Sequence, residues 1–168
     1  MLCAACTSAR TQAGPLPSVN PSASASQQFL SGPCPVSRPF PRNQIPRAVV
    51  YAALGDYVGP PVRNIGNWYG NDSLWVELPT GSAVVKLAGE DLSEKFPWVR
   101  LIRGQLTIDG RRLDGPAAPV KSDVPDGYGP RGFQATGIGF PEPGCWEIAG
   151  RIAGWHLTFI VEARRGHR

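Results

Sequence analysis

Prolines recur so often along most of this chain that few segments are long enough to form a helix. Proline has no backbone N–H and its ring clashes with the preceding turn, so it ends or kinks a helix. No segment of about eleven residues shows a helical repeat with capping residues at its ends. Short strands joined by turns are therefore expected. The prolines that break candidate helices are Pro60, Pro61, Pro79, Pro97, Pro116, Pro119, Pro125, Pro130, Pro141 and Pro143.

Several short runs alternate apolar and polar residues, which is the pattern of strands with one buried face. In the last run Trp155, Leu157, Phe159 and Val161 share one face, while polar residues occupy most of the other. We predict that this strand and the one before it form a hairpin turning at Ala153-Gly154, with one core made by Trp146, Ile148, Trp155, Leu157 and Phe159. The predicted strands are Ser73–Leu78, Ala83–Leu87, Trp98–Arg103, Gln105–Leu113, Phe133–Phe140, Cys145–Ile152 and Trp155–Ala163.

The Asp109-Gly110 dipeptide suits a two-residue hairpin turn, because glycine accepts the positive φ that such turns require. It predicts that the run Gln105–Leu113 is split into a hairpin. About seven short strands separated by turns favour a two-sheet sandwich over an open barrel. The predicted fold class is all-β.

Composition limits the size of the protein and the kind of partner it binds. A chain of 168 residues with 42% hydrophobic content fits one domain. The net charge is +4, but the arginines are scattered and cluster only in the tail, residues 164–168. We therefore expect no nucleic-acid partner. No run of about 18 apolar residues is present, so the sequence predicts no helix that spans a membrane.

The first residues, MLCAACTSAR, resemble the cleavage site of a bacterial lipoprotein signal peptide, where small residues precede an acylated cysteine. The resemblance implies that Cys6 is lipidated and that residues 1–6 are a remnant of the signal. Cys3 stands where that family usually has an aliphatic residue. We expect the natural precursor to begin about 15–20 residues earlier, because a signal needs basic and apolar regions. A redox C-x-x-C site and an incidental cysteine pair are the alternatives.

Residues 7–33 are rich in Ser, Ala and Pro and poor in large apolar side chains. Such a segment buries too little surface to offset the entropy of ordering, so we predict a disordered linker. As a flexible coil it would span on the order of 30 Å, enough to hold a domain clear of a lipid surface. The folded domain is predicted to occupy residues 34–163.

The stretch GFQATGIGFPEPGCWEIAGRIAGWHLTFIVEA resembles the closing hairpin of immunoglobulin-like domains in secreted bacterial proteins. Together with NWYGNDSLWVELP and KFPWVRLIRGQLTIDGRRLDGPAAP, it is similar to small bacterial lipoproteins with a domain of unknown function. The similarity covers residues 34–163. It implies an immunoglobulin-like sandwich in an extracytoplasmic compartment and no established activity.

Cys34 opens the folded region and Cys145 opens the penultimate strand. In an exported protein both would lie in an oxidising compartment, and no other cysteine remains as a partner once Cys6 is acylated. We predict that they form a disulfide. Two free, buried thiols are the alternative.

The sequence offers few residues suited to catalysis. The histidines are His156, within a strand, and His167, in the tail, and neither lies near a nucleophile motif. Beyond Cys3 and Cys6 no short-spaced set of zinc ligands occurs, and the acids of AGEDLSEKFP suit a solvated loop. We expect no catalytic residues, no metal site and no cofactor.

The remaining candidates for ligand binding are aromatic. Trp68 and Tyr69 lie beside amide-bearing residues, a composition that can stack a sugar ring and bind its hydroxyls. Core packing is the competing role. The long connection Asp114–Arg131 has no predicted structure of its own and carries one aromatic, Tyr128.

These observations predict a lipoprotein anchored to the outer side of the cell membrane through an N-terminal lipid. Its sandwich would be a non-catalytic interaction module for an unidentified protein or cell-wall partner. One alternative is a carbohydrate or cell-wall binding module, which requires Trp68 and Tyr69 to be exposed. A second is an inhibitor-like or chaperone-like domain that engages another protein through a loop or sheet edge. An enzyme would require polar groups that converge in a pocket.

Overall fold

The computed structural model describes residues 29–55, 66–79, 83–87 and 93–166. Within these residues nine strands form a five-stranded sheet and a four-stranded sheet that share one core. The predicted two-sheet β architecture is confirmed, with one short helix added. The strands are β1 (Trp68–Gly70), β2 (Leu74–Glu77), β3 (Val84–Leu87), β4 (Ser93–Arg100), β5 (Thr107–Arg112), β6 (Lys121–Asp123), β7 (Gly132–Gly139), β8 (Gly144–Ile152) and β9 (Trp155–Arg165).

The strand order is β1-β2-β4-β7-β6 in the first sheet and β3-β9-β8-β5 in the second. Neighbouring strands are antiparallel, except that β3 runs parallel to β9. At one side of the sandwich the sheets are linked by Ser122, whose hydroxyl donates to the carbonyl of Ile108 at 2.9 Å. Because β6 and β5 are the edge strands of their sheets, this hydrogen bond joins the two sheets along one side of the sandwich.

The core between the sheets forms around Phe159 of β9. Its ring lies 5.8 Å from the rings of Phe96 and Trp98 on the facing sheet. Four of the five predicted core residues, Trp146, Ile148, Leu157 and Phe159, are buried. The prediction for Trp155 was wrong: it is 57% exposed. The alternation along β9 is correct, but Trp155 adjoins the turn at Ala153-Gly154, where the strand extends past the layer that covers Leu157 and Phe159.

The helix α1 (Arg47–Leu54), preceded by a 3-10 turn (Arg42–Gln44), was not predicted. It has 8 residues, and Pro46 at its N-cap leaves the first turn without a side-chain cap. So short a helix has little stability alone and is held by packing. Val49, fully buried, packs with Ile45, Trp68, Trp75 and Val99 on the outer face of the five-stranded sheet.

The predicted hairpin at Asp109-Gly110 does not form. Thr107–Arg112 is one continuous strand whose residues pair with β8 from Arg151 to Trp146. A side chain at Gly110 would place its Cβ 2.7 Å from Ile148 Cδ1 and 2.8 Å from Glu147 O. Glycine is therefore needed at this position for close packing within the sheet and not for a turn.

Three further strand predictions need correction. Strand β1 was missed, because three residues are too short to show alternation. The connection Asp114–Arg131, predicted to be without structure, contains β6. Strand β4 begins at Ser93 and ends at Arg100, so the predicted run Trp98–Arg103 covers only its last part. The proline in this strand, Pro97, is accommodated opposite Ala135.

Candidate functional site

Three connections meet at one end of the sandwich, which we call the loop end. They are residues 101–106 between β4 and β5, residues 124–131 between β6 and β7, and the β8–β9 turn at Ala153-Gly154. The first two are joined by a bond from the N–H of Gly104 to the carbonyl of Pro130, at 3.1 Å. The loop end is thus formed by segments that are far apart in sequence.

Arg100, the last residue of β4, lies at the centre of the loop end and is only 4% exposed. It follows Phe96 and Trp98 on the face that points into the sandwich, since side chains alternate along a strand. Its Nη1 donates to the carbonyl of Gly104 at 3.0 Å and its Nη2 to the carbonyl of Gly129 at 2.5 Å. One guanidinium therefore holds both long loops.

Two polar atoms at the loop end are buried and have no hydrogen-bond partner among the described residues. They are Nε of Arg100, a donor, and Oε1 of Gln134, an acceptor. Gln134 is 5% exposed, and its Nε2 donates to the carbonyl of Pro125 at 3.0 Å. Leaving such groups unpaired costs about 1–3 kcal/mol each, and more for a charged group.

Arg100 and Gln134 line the same cavity of about 210 Å³, which we call the loop pocket. Its outer wall is the glycine-rich loop around Tyr128. The side chain of Tyr128 is 40% exposed, and its ring lies 6.3 Å from the ring of Phe133. Gly127 adopts a φ of 92°, a conformation that side chains rarely allow. The exposed carboxylate of Asp126 also lines the pocket.

The positive charge of Arg100 is held by two backbone carbonyls. Within the described residues no carboxylate forms an ion pair with it. Burial lowers the pKa of the Arg100 guanidinium, although an arginine stays protonated at any physiological pH. The loop pocket therefore contains a permanent, buried positive charge beside a free amide oxygen. This arrangement can bind an anion.

A second cavity of about 230 Å³ adjoins the loop pocket and shares Gln105 with it. It is lined by the tip of the β8–β9 hairpin, including Trp155 and His156. Asn71 fixes this hairpin by donating from Nδ2 to the carbonyl of His156 at 2.9 Å. The exposed Trp155 therefore lies on a supported hairpin at the loop end.

The three predicted aromatic candidates lie in different places. Trp68 is 1% exposed beneath α1, so it has the alternative role, core packing, and cannot stack on a ligand. The unpredicted helix is the physical reason, since it covers the outer face of β1. Tyr69 is half-buried, with its ring 5.8 Å from that of Phe40. Tyr128 lies at the loop pocket.

The predicted disulfide is present at the opposite end of the sandwich, which we call the disulfide end. Cys34 and Cys145 are bonded, with Cα atoms 5.5 Å apart. Contacts with the sandwich begin before Cys34, because the N–H of Leu30 donates to the carbonyl of Leu113 at 2.7 Å. The predicted lipidation site, Cys6, lies outside the described residues.

Arg100 and Gln134 were not identified as site residues from the sequence. The signal that could have found them is the alternation of side chains along a strand. Arg100 continues the inward-facing series of Phe96 and Trp98, and Gln134 shares the inward face with Thr136 and Ile138. A polar residue at an inward position is informative, because burial is costly unless a partner compensates. Which partner compensates is decided by how the two loops fold back onto the strand ends.

No family model matches the chain, and no curated protein matches it. Among solved structures, the chain is similar to one described as "X-ray Crystal Structure of a Putative Lipoprotein from Bacillus anthracis". The two share 12% sequence identity with a TM-score of 0.37, over 59% of this chain and 84% of that chain. A likeness at this level assigns neither a family nor an activity.

The part of the chain that the structure describes contains one α-helix, α1. No helix there is both long and apolar enough to cross a bilayer. In the same part of the chain, no group of three His, Cys, Asp or Glu side chains is arranged to hold a metal ion.

Proposed function

We propose that the protein is an extracytoplasmic lipoprotein, anchored through Cys6, whose β-sandwich is a non-catalytic binding module of immunoglobulin-like type. The observation that carries the proposal is the Cys34–Cys145 disulfide. Disulfides of this kind form and persist in oxidising compartments outside the cytoplasm. The bridge also fixes the chain directly after the predicted linker, residues 7–33.

The order of the strands supports the immunoglobulin-like type. In that fold one sheet has the order A-B-E-D and the other contains C, F and G. Here β2-β4-β7-β6 corresponds to A-B-E-D, and β9-β8-β5 corresponds to G-F-C. Strand β1 extends the first sheet, and β3 extends the second alongside β9.

The positions of the two ends support a binding role directed away from the membrane. Strand β8 begins beside Cys145 and ends at Ile152, next to the loop-end turn. Its 9 residues, at about 3.3 Å each, separate the ends by about 30 Å. A linker attached at the disulfide end would hold the loop pocket on the far side of the domain.

The two buried polar side chains of the loop pocket support binding over catalysis. Arg100 supplies a guanidinium and Gln134 an amide, and neither group transfers protons or attacks a substrate at neutral pH. A protein-binding role of the inhibitor-like or chaperone-like kind is the second candidate. The observation that favours it is Trp155, 57% exposed on the hairpin tip, because exposed tryptophans are enriched at interfaces.

The anchor can be tested by expressing the protein from its own gene in cells fed an alkyne-labelled fatty acid. We expect the label and the membrane fraction to contain the protein, and Cys6→Ala to remove both. Cys3→Leu is the matched control, since it replaces the other cysteine with the aliphatic residue usual at that position, and it should keep the label. Labelling that persists in Cys6→Ala would refute the anchor.

A further inference from the structure

We propose that the loop pocket binds a carboxylate whose neighbouring atom carries an N–H or O–H donor, as in a peptide C-terminus or a hydroxy acid. The inference deepens the proposed binding function and rests on it, because it names the ligand class of that module. Two atoms carry it: Nε of Arg100 and Oε1 of Gln134, both buried without a partner among the described residues.

Arg100 requires an anion as its partner. Its two terminal nitrogens are held by the carbonyls of Gly104 and Gly129, so the guanidinium is fixed and Nε offers a donor of set direction. Carbonyl oxygens bind the N–H groups but leave the buried positive charge uncompensated. A carboxylate supplies both an acceptor and the opposite charge, and hydrogen bonds between such groups are stronger than neutral ones.

Gln134 requires a donor on the same ligand. Its amide cannot be flipped, because Nε2 is the atom that must donate to the carbonyl of Pro125. Oε1 is therefore an acceptor without a partner among the described residues, in a side chain that lines the pocket. Sulfate or a simple alkyl carboxylate would pair with Arg100 and leave this oxygen unpaired. An amide N–H or a hydroxyl beside the carboxylate would pair with it.

The size of the pocket selects the end of a molecule. Its volume of about 210 Å³ is below the range of about 300–1,000 Å³ that holds a whole drug-sized ligand. The exposed ring of Tyr128 lies at the pocket and can contact the rest of the ligand outside it. Asp126 opposes an anion, so Asp126→Asn should tighten binding.

A panel of small probes tests the two requirements separately by NMR titration of the full chain. N-acetylglycine carries a carboxylate and an N–H, lactate a carboxylate and an O–H, propionate a carboxylate alone, and N-acetylglycine methyl ester the N–H alone. We expect the first or second probe to bind with a Kd of about 1 mM. Propionate and the ester should each bind about tenfold more weakly or less.

The stronger of the first two probes identifies the source, a peptide end or a hydroxy acid. Shifts should be largest at the side-chain amide of Gln134 and the backbone amide of Gly104. The proposal is overturned if the ester or propionate binds as well as its partner, if no probe binds, or if the shifts lie elsewhere. Ligand binding in this titration does not depend on the lipid anchor. The fatty-acid labelling experiment can therefore fail while the probes bind, and the probes can fail to bind while labelling succeeds.

Gln134→Glu gives an independent test, because it places a carboxylate beside Arg100. We expect this variant to lose binding by about tenfold or more, because its carboxylate repels the ligand carboxylate and cannot donate to the carbonyl of Pro125. Gln44→Glu is the matched control: it makes the same change on an exposed residue outside the pocket and should leave binding unchanged. Unchanged binding in Gln134→Glu contradicts the proposal, and if that variant does not fold, the probe panel decides.

Discussion

The two ends of the sandwich contain the same residue type in opposite electrostatic settings. At the disulfide end, Arg112 forms ion pairs with Asp114 at 2.6 Å and Glu142 at 2.9 Å. The bond to Asp114 raises the pKa of the Arg112 guanidinium, whereas burial lowers that of Arg100 at the loop end. The charge of Arg112 is therefore compensated by carboxylates of the same chain.

The comparison shows how the fold separates stability from binding capacity. The disulfide end has a covalent bridge and an arginine paired with two carboxylates. The loop end has an arginine that holds two loops while its Nε has no partner among the described residues. Buried groups that are paired within the fold stabilise the domain, while unpaired buried groups can gain free energy by binding.

The largest expected effect lies in the core that both ends share. Phe159→Ala should lower the free energy of unfolding by about 3–5 kcal/mol, because Phe159 is 1% exposed and packs against Phe96 and Trp98. Chemical denaturation measures this loss. A loss below about 1 kcal/mol would mean that the register of β9 is wrong, because a one-residue slip moves Phe159 to the solvent face.

The next effect is confined to the disulfide end. Cys34→Ala, Cys145→Ala and the double variant should each lose about 2–4 kcal/mol of stability, since the bridge spans 111 residues and constrains the unfolded chain. The three losses should be equal, because either substitution removes the same bond. Carboxylate binding at the loop end should be unchanged in these variants. A coupled loss of binding would show that the two ends are not independent.

The smallest effect is expected at the hairpin tip of the loop end. Trp155→Ala should change stability by less than about 0.5 kcal/mol, because the side chain is largely exposed. Thermal melts of Trp155→Ala and Phe159→Ala compare the stability contributions of two aromatic side chains on the same face of β9. A large loss for Trp155→Ala would mean that the exposed ring is covered in solution, which the second candidate function, protein binding, predicts.

Local sequence information was sufficient where the strands alternate over many residues. The predicted hairpin of β8 and β9 is present, with Ala153 and Gly154 at its turn and positive φ angles of 45° and 84°. It was insufficient for Asp109-Gly110, where a turn dipeptide lies inside a strand. The glycine is required by the side chain of Ile148 on the adjacent strand, and this contact is invisible along the chain.

The candidate site shows the same difference between what local sequence predicts and what tertiary contacts decide. The sequence identified Tyr128 as a candidate and placed Cys34 and Cys145 together, since compartment and cysteine count required no geometry. It left Trp68 open between an exposed platform and core packing, and the packing of α1 decides for the core. A helix of 8 residues is stabilised by the sheet beneath it, so its position could not be inferred from its own residues.

By itself, the sequence determined the class of fold, the closing hairpin and the disulfide, because prolines, period-two alternation and cysteine number act locally or by count. The tertiary structure alone decided that Arg100 is buried with no ion-pair partner among the described residues and that Gln134 lines the same cavity. The physical reason is that hydrogen-bond satisfaction depends on which backbone carbonyls reach a side chain. Those of Gly104, Pro125 and Gly129 are brought to Arg100 and Gln134 by two loops far apart in sequence.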